Sequence, residues 1–148
     1  MDLKNQHLNK LKEVFLEEPV KYKGENLTES RVSIGRIPAV LTTPHININW
    51  ASSSRNTVFT GVGDIKLNNY DVSFIIRSSQ PAQTITDSNL KYLTDSLNEF
   101  VTVFLDYLLD NYRYANPWFK INQEGQSELL RLDHNNFMIT INLQTINY

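Results

Sequence analysis

The sequence predicts one α+β domain spanning residues 1–148, with a mainly antiparallel sheet packed by a long helix and a shorter N-terminal helix, and with an extended β-hairpin. Two patterns carry this prediction. Apolar residues recur every three or four positions between Asp87 and Tyr112, which indicates a long amphipathic helix. Apolar and polar residues alternate from Phe137 to Ile146, which indicates a closing strand with one buried face.

The first predicted element is a helix from Asp2 to Glu18. Its apolar residues recur at helical spacing: Leu8, Leu11, Val14 and Phe15. Pro19 ends the helix because proline lacks a backbone donor. The next segment, Val20 to Ser33, contains Gly24 and has little periodicity, so we expect a connecting loop that can order against a partner.

A long hairpin is predicted next. Residues from Ile34 to Trp50 are rich in β-branched side chains, and alternation in the second half indicates an extended strand. Pro38 and Pro44 each remove a backbone donor, which favours an interrupted strand or an edge strand. The polar segment Ala51–Asn56 is typical of a turn, and Thr57–Thr60 is expected to resume as a strand. These features together predict a hairpin with a mobile tip.

The strand and long helix that follow form the predicted centre of the domain. Tyr70 to Arg77 alternates, although Ile75 breaks the polar side, so this strand is expected to be covered on both faces. Thr86 or Asp87 can cap a helix of about 25 residues, which is about 37 Å long. Its apolar stripe comprises Leu90, Leu93, Leu97, Val101, Phe104 and Leu108, widened by Phe100, Val103 and Tyr107.

The C-terminal part returns to strands. Trp118–Ile121 and Glu128–Leu132 are predicted strands, and Asn122–Gln126 and Asp133–Asn136 are predicted turns. The strand from Phe137 to Ile146 closes the sheet. We therefore expect both helices on one face of the sheet.

Composition excludes several classes of function. The formal net charge is −2, so the chain as a whole does not favour generic nucleic-acid binding. The absence of cysteine excludes disulfides, thiolate metal sites and a cysteine nucleophile. The N-terminus is polar, and no apolar run approaches the roughly 20 residues that span a bilayer. We expect a protein that is neither exported by a signal peptide nor anchored in a membrane.

The sequence predicts no catalytic, cofactor-binding or metal-binding residues. His7, His45 and His134 are far apart, and only Asp133 lies beside a histidine. Gly61-Val62-Gly63 lacks the third glycine and the Lys-Ser/Thr pair of phosphate-binding loops. No Gly-x-Ser-x-Gly motif is present. We therefore predict that the protein is not an enzyme.

The order of these elements resembles that of the tail terminator and tail completion proteins of long-tailed bacteriophages. The shared features are an N-terminal amphipathic helix, the segment Arg36-Ile37-Pro38-Ala39-Val40-Leu41 leading into a long hairpin, the strand Tyr70–Arg77, the helix Asp87–Tyr112 and the closing strand Phe137–Ile146. The resemblance covers nearly the whole chain. The segment Val20–Ser33 and the position of Pro44 depart from the family's pattern.

The resemblance implies a structural protein of the virion neck or tail that assembles in the host cytoplasm. It implies a hexameric ring that caps the tail tube, contacts the tail tube protein and the head connector, and lets genomic DNA pass through its lumen without specific binding. The residues expected at the subunit interface are Trp50, Ser52, Ser53, Arg55, Asn56, Val58, Phe59, Arg31 and Arg36.

Two alternatives remain open. The protein could instead be a neighbouring head–tail connector subunit, which would remain monomeric until it docks. It could also be a small nucleic-acid-binding module, since the aromatic and basic residues of Tyr112-Arg113-Tyr114 and Trp118-Phe119-Lys120 can stack on single strands. The same residues are also explained by packing in the hydrophobic core, at the corner where the helix meets the sheet.

Overall fold

A computed structural model describes residues 3–59, 63–80, 84–112, 118–121, 129–133 and 135–147, and describes side chains for 6–51, 68–80, 84–111, 129–133 and 135–144. The helices are α1 (Leu3–Phe15) and α2 (Asp87–Tyr112), and a 3₁₀ turn covers Glu29–Arg31. The strands are β1 (Val32–Ile34), β2 (His45–Phe59), β3 (Gly63–Arg77), β4 (Trp118–Ile121), β5 (Leu130–Arg131) and β6 (Asn136–Asn147). This arrangement confirms the α+β prediction.

The strands form one sheet in the order β1-β2-β3-β6-β4. β1 lies parallel to β2, and every other pair is antiparallel. β4 and β5 share the last position in the sheet, because both pair with β6 on the side away from β3. β4 lies opposite residues 143–146, and β5 lies opposite residues 137–138.

Both helices pack on one face of the sheet around an aromatic cluster. The ring of Phe74 on β3 lies 5.1 Å from that of Phe100 and 6.4 Å from those of Phe15 and Phe104. The strand residues that join this core include Ile46, Ile48, Val72, Ile139, Ile141 and Leu143, and all of them are buried. Burial of these side chains is the main force that fixes the helices on the sheet.

The N-terminal helix ends earlier than predicted. It was expected to reach Glu18 and ends at Phe15. The amide of Leu16 bonds to the carbonyl of Glu13, and the amide of Glu17 bonds to that of Val14, so the chain tightens before Pro19. The hydroxyl of Tyr107 donates to the Glu17 carboxylate, which ties this turn to α2 and raises the pKa of Tyr107 to about 12.

The segment Val20–Ser33, predicted as a connecting loop, is irregular over most of its length, but it contains local structure and its last two residues belong to β1. Tyr22 and Glu25 form a bridge across a tight turn, and the segment ends in β1. Val20, Tyr22 and Leu27 are buried in the core. These apolar anchors are too irregularly spaced to give a helical or alternating pattern, which explains why periodicity missed them.

The turn predicted at Ala51–Asn56 is wrong. β2 is a single strand from His45, directly after Pro44, to Phe59, with register shifts between Trp50 and Ser52 and between Thr57 and Phe59, and it pairs with β3 from Gly63 onward. Serine and asparagine favour turns in isolation, but pairing with β3 determines the conformation here. The hairpin connection lies between residues 59 and 63, so the extended hairpin itself is confirmed.

Helix α2 has the predicted bounds. Its N-cap is Thr86, whose Oγ1 accepts a bond of 3.4 Å from the Asn89 amide. The predicted apolar stripe is correct except at Leu90, which is 38 % exposed. Leu90 lies in the first turn, and Leu93 is the first stripe residue that reaches the core.

The remaining strands are close to the prediction. β3 begins earlier than Tyr70, and both of its faces are covered, since Ile75 is fully buried and Ser73 is 8 % exposed. β4 has the predicted bounds, Trp118–Ile121, and the predicted alternation of β6 is confirmed. β5 is shorter than Glu128–Leu132. The turn predicted at Asn122–Gln126 and the Tyr112-Arg113-Tyr114 cluster lie largely outside the described residues.

The turn before β6 is held by an aspartate. Oδ1 of Asp133 accepts bonds of 3.0 Å from the amides of Asn135 and Asn136. This is the local side-chain bonding that makes aspartate a turn residue. His134, in the same turn, lies outside the described residues.

Candidate functional site

The sheet has a long uncovered edge along β2. β1 pairs with β2 only at Ile46, Ile48 and the residue between them. From Asn49 to Phe59, no other described strand lies on that side of β2. We call this side of residues 49–59 the free edge. A strand edge that no neighbouring strand covers is a template for pairing with another chain.

Gly35 determines where the free edge begins. Its amide, directly after β1, donates to the carbonyl of Ile48 over 2.8 Å. Its φ of +90° is a conformation that side chains with a β-carbon rarely adopt. The chain therefore turns away at Gly35, and no described strand continues β1 alongside residues 49–59.

A bulge separates two parts of the hairpin. Trp50 pairs with Tyr70, but the next pair is Ser52 with Asn69, so Ala51 is the extra residue. A bulge bends a strand and increases its twist. We call residues 45–50 and 70–77 the sheet base, and residues 52–59 and 63–69 the hairpin arm. β6 follows the arm as far as the pair Lys66–Asn147.

The structure places the predicted interface residues along one edge of the sheet. Arg31 directly precedes β1, and Arg36 is exposed directly after Gly35. Trp50 packs partly against the core at the boundary of the arm. The other predicted residues, Ser52, Ser53, Arg55, Asn56, Val58 and Phe59, have their backbone in the arm, and their side chains lie outside the described set.

A serine–histidine pair joins β1 to β2 on the face away from the helices. Oγ of Ser33 lies 2.8 Å from Nε2 of His45, and the side-chain amide of Asn47 donates to the same oxygen over 2.8 Å. The spacing is that of a nucleophile and its base. However, Asn47 engages the serine oxygen and His45 is only 1 % exposed, so the arrangement braces the edge strand.

Burial controls the charge of His45. It lowers the pKa of the imidazole, and the backbone of Thr42 acts in the opposite direction with a smaller effect. Neutral imidazole is therefore the favoured form in the fold near neutral pH. The sequence alone gave no signal for this network, because Ser33 was assigned to a loop.

The other described histidine also has a structural contact. Nδ1 of His7 lies 2.7 Å from the hydroxyl of Tyr70, and both side chains are buried. This contact ties α1 to the sheet base. Within the part of the chain that the structure describes, no three His, Asp or Glu side chains come together as metal ligands would.

A second polar site lies at the other end of β3, near the start of α2. Nζ of Lys23 donates to the hydroxyl of Tyr92 over 3.1 Å and lies 5.5 Å from the centre of the Tyr22 ring. The bond to Tyr92 raises the pKa of Lys23, and the same bond lowers the pKa of Tyr92. Sequence reasoning missed this site because 69 positions separate the two residues.

Comparison with known proteins finds no family model that matches the chain and no curated protein that is similar to it in sequence. In the described part of the chain, neither helix combines the length and the apolar character needed to cross a bilayer.

Proposed function

We propose that this protein is a structural subunit of the neck or tail of a long-tailed bacteriophage, where it acts as a tail terminator or tail completion protein. Copies associate as a hexameric ring that caps the tail tube and joins the tail to the head. The free edge supports this proposal, because no other described strand pairs with that side of residues 49–59, and such an edge can pair with another chain.

Ring formation follows from the kind of contact that the arm can make. If the free edge of one copy meets a different surface of the next, the contact is heterologous. Such contacts close into a ring when the rotation between copies closes. Arg31 and Arg36 flank β1 at the start of the edge, where guanidinium groups can pair with carboxylates of a neighbour.

The exposed face of α2 supports passage of DNA through the ring. Asp95, Glu99, Asp106 and Asp110 are exposed on this helix. With a formal net charge of −2, such a surface does not hold the duplex by counterion release. The partners are the tail tube protein and the head connector, and the protein catalyses no reaction.

The first test is the solution mass by light scattering from micromolar to near-millimolar concentration, followed by negative-stain imaging. We expect rings of about six subunits, formed by repeated heterologous contacts. A monomer at every concentration would contradict the self-assembling terminator and favour a connector subunit that assembles only on its partner.

A pair of shortened hairpins tests the free edge itself. Replacing residues 54–67 by Asn-Gly joins the paired Ser53 and Asn68 through a two-residue turn and removes most of the arm. We expect a folded monomer with unchanged helix content. Replacing only residues 57–64 by Asn-Gly joins Asn56 and Ile65 and keeps most of the edge, so this control should still form rings.

A further inference from the structure

Two adjoining cavities flank Tyr92 where β3 ends and α2 begins. One has a volume of about 210 Å³, the other about 250 Å³, and Arg77, Tyr92 and Leu93 line both. Together they form one cleft, which we call the Tyr92 cleft. It lies at the β3–α2 connection, and its described lining includes none of the predicted interface residues.

Lys23 and Arg77 are the only charged residues in the described lining of the Tyr92 cleft. Lys23 lines the first cavity, Arg77 lines both, and neither cavity has an aspartate or glutamate in its described lining. Arg77 is exposed, and its guanidinium makes no hydrogen bond or ion pair with the described residues. The whole chain has 16 acidic and 14 basic residues, so the positive charge of the cleft is opposite in sign to the net charge of the protein.

The backbone holds Lys23 at the mouth of the cleft. Lys23 has a φ of +52° and Gly24 a φ of +80°, which are the left-handed conformations of a tight turn closed by the Tyr22–Glu25 bridge. A lysine is uncommon at such a position, where Asn, Asp and Gly are favoured. In this turn, the ammonium group of Lys23 donates a hydrogen bond to the hydroxyl of Tyr92.

The rest of the cleft is partly apolar. Pro44, Ile76 and Leu93 form one wall of the first cavity, and the ring of Tyr22 forms another side. Ser78 and Ser79 add hydroxyl groups in the second cavity. This combination suits an anionic group attached to an apolar neighbour, since ligand sites combine apolar walls with a few placed polar groups.

We propose that the Tyr92 cleft binds an acidic peptide segment of a partner protein, with one carboxylate between Lys23 and Arg77 and an adjacent aliphatic side chain against Pro44 and Leu93. The planar guanidinium can hold a carboxylate through two parallel bonds. This contact is separate from the free edge, so it adds a second docking site to the protein and does not depend on ring formation.

A polyanion such as single-stranded nucleic acid fits less well. Asp95 and Glu99 follow Tyr92 by three and seven positions, which puts them on the same side of α2. The charge of Glu99 acts on both Tyr22 and Tyr92. A single carboxylate can avoid these groups, whereas a chain of phosphates that leaves the cleft along α2 meets them.

The test is an NMR titration of the full chain. The probes are acetyl-Leu-Glu-Leu-amide and its Gln counterpart, which differ in one charge. We expect amide shifts at residues 23, 77–79 and 92–93, and at least about tenfold weaker binding of the Gln peptide, the loss expected when a charge-assisted bond is removed. Equal binding of the two peptides would overturn the proposal.

Three variants make the test specific. Lys23→Asn removes a charge but keeps a residue that tolerates the turn, and Arg77→Gln removes the other cation. Each should weaken binding of the Glu peptide about tenfold. Lys91→Gln removes an exposed lysine one residue from Tyr92 and should change little. Equal losses in all three variants, or tighter binding of a short oligothymidine than of the peptide at this cleft, would contradict an acidic-peptide site.

Discussion

The sheet base and the hairpin arm belong to the same two strands and are stabilised in different ways. In the base, Ile46, Ile48 and Phe74 are fully buried beneath both helices. In the arm, β2 has β3 on one side and the free edge on the other. Changes in the base should therefore alter the stability of each subunit, and changes in the arm should alter association. The predictions below test this division.

The largest effect is expected at Phe74. Its ring contacts the rings of Phe15, Phe100 and Phe104 and is fully buried. Phe74→Ala should lower the free energy of unfolding by about 3–5 kcal/mol, because it removes apolar contacts and leaves a cavity. Urea denaturation measures this loss. Phe74→Leu keeps most of the volume and should cost much less, and similar losses for both variants would argue against a packing origin.

A smaller loss is expected for Tyr70→Phe. This change keeps the buried ring and removes the hydroxyl that contacts His7. Leaving a buried polar group without its partner costs about 1–3 kcal/mol, so the midpoint of urea denaturation should fall without a change in slope. Stability equal to that of the wild type would show that this contact does not hold α1 to the base.

The turn at Gly35 should be sensitive to any side chain. Gly35→Ala places a β-carbon at a φ of +90° and should lower the free energy of unfolding by about 1–2 kcal/mol, measured by thermal denaturation. The cost comes from the backbone, because beyond the two flanking residues no described atom lies within 4 Å of that carbon. Gly35→Asn is the matched variant, because asparagine tolerates this conformation better. A larger loss for asparagine than for alanine would contradict backbone strain as the cause.

The smallest expected effect is a pH dependence from His45. Its pKa is lowered in the fold from the usual 6.5, so the unfolded chain binds more protons as the pH falls. The contribution of His45 to stability is therefore complete above about pH 6.5 and is lost as the pH decreases toward the folded pKa. Denaturation midpoints of the wild type and His45→Gln should diverge over that range, and parallel curves would contradict the burial argument.

Elements with long, regular periodicity could be predicted from the sequence. The bounds of α2 and the alternation of β6 were correct because each buries one continuous face. The assignment of Ala51–Asn56 to a turn failed because strand pairing overrode residue preference, and β1 was missed because three residues carry no period. The edge on which Arg31 and Arg36 lie depends on the turn at Gly35, and the Tyr92 cleft depends on tertiary contacts, so local patterns could not reveal either one.

The most direct test of the free edge is hydrogen exchange of backbone amides at low and high protein concentration. The account predicts that amides of residues 49–59 exchange more slowly at concentrations where rings form, because a neighbouring strand or loop then covers the edge. Amides of the sheet base outside residues 49 and 50 should be unaffected. Unchanged exchange of residues 49–59 across the whole concentration range would contradict the assignment of the free edge as the assembly surface.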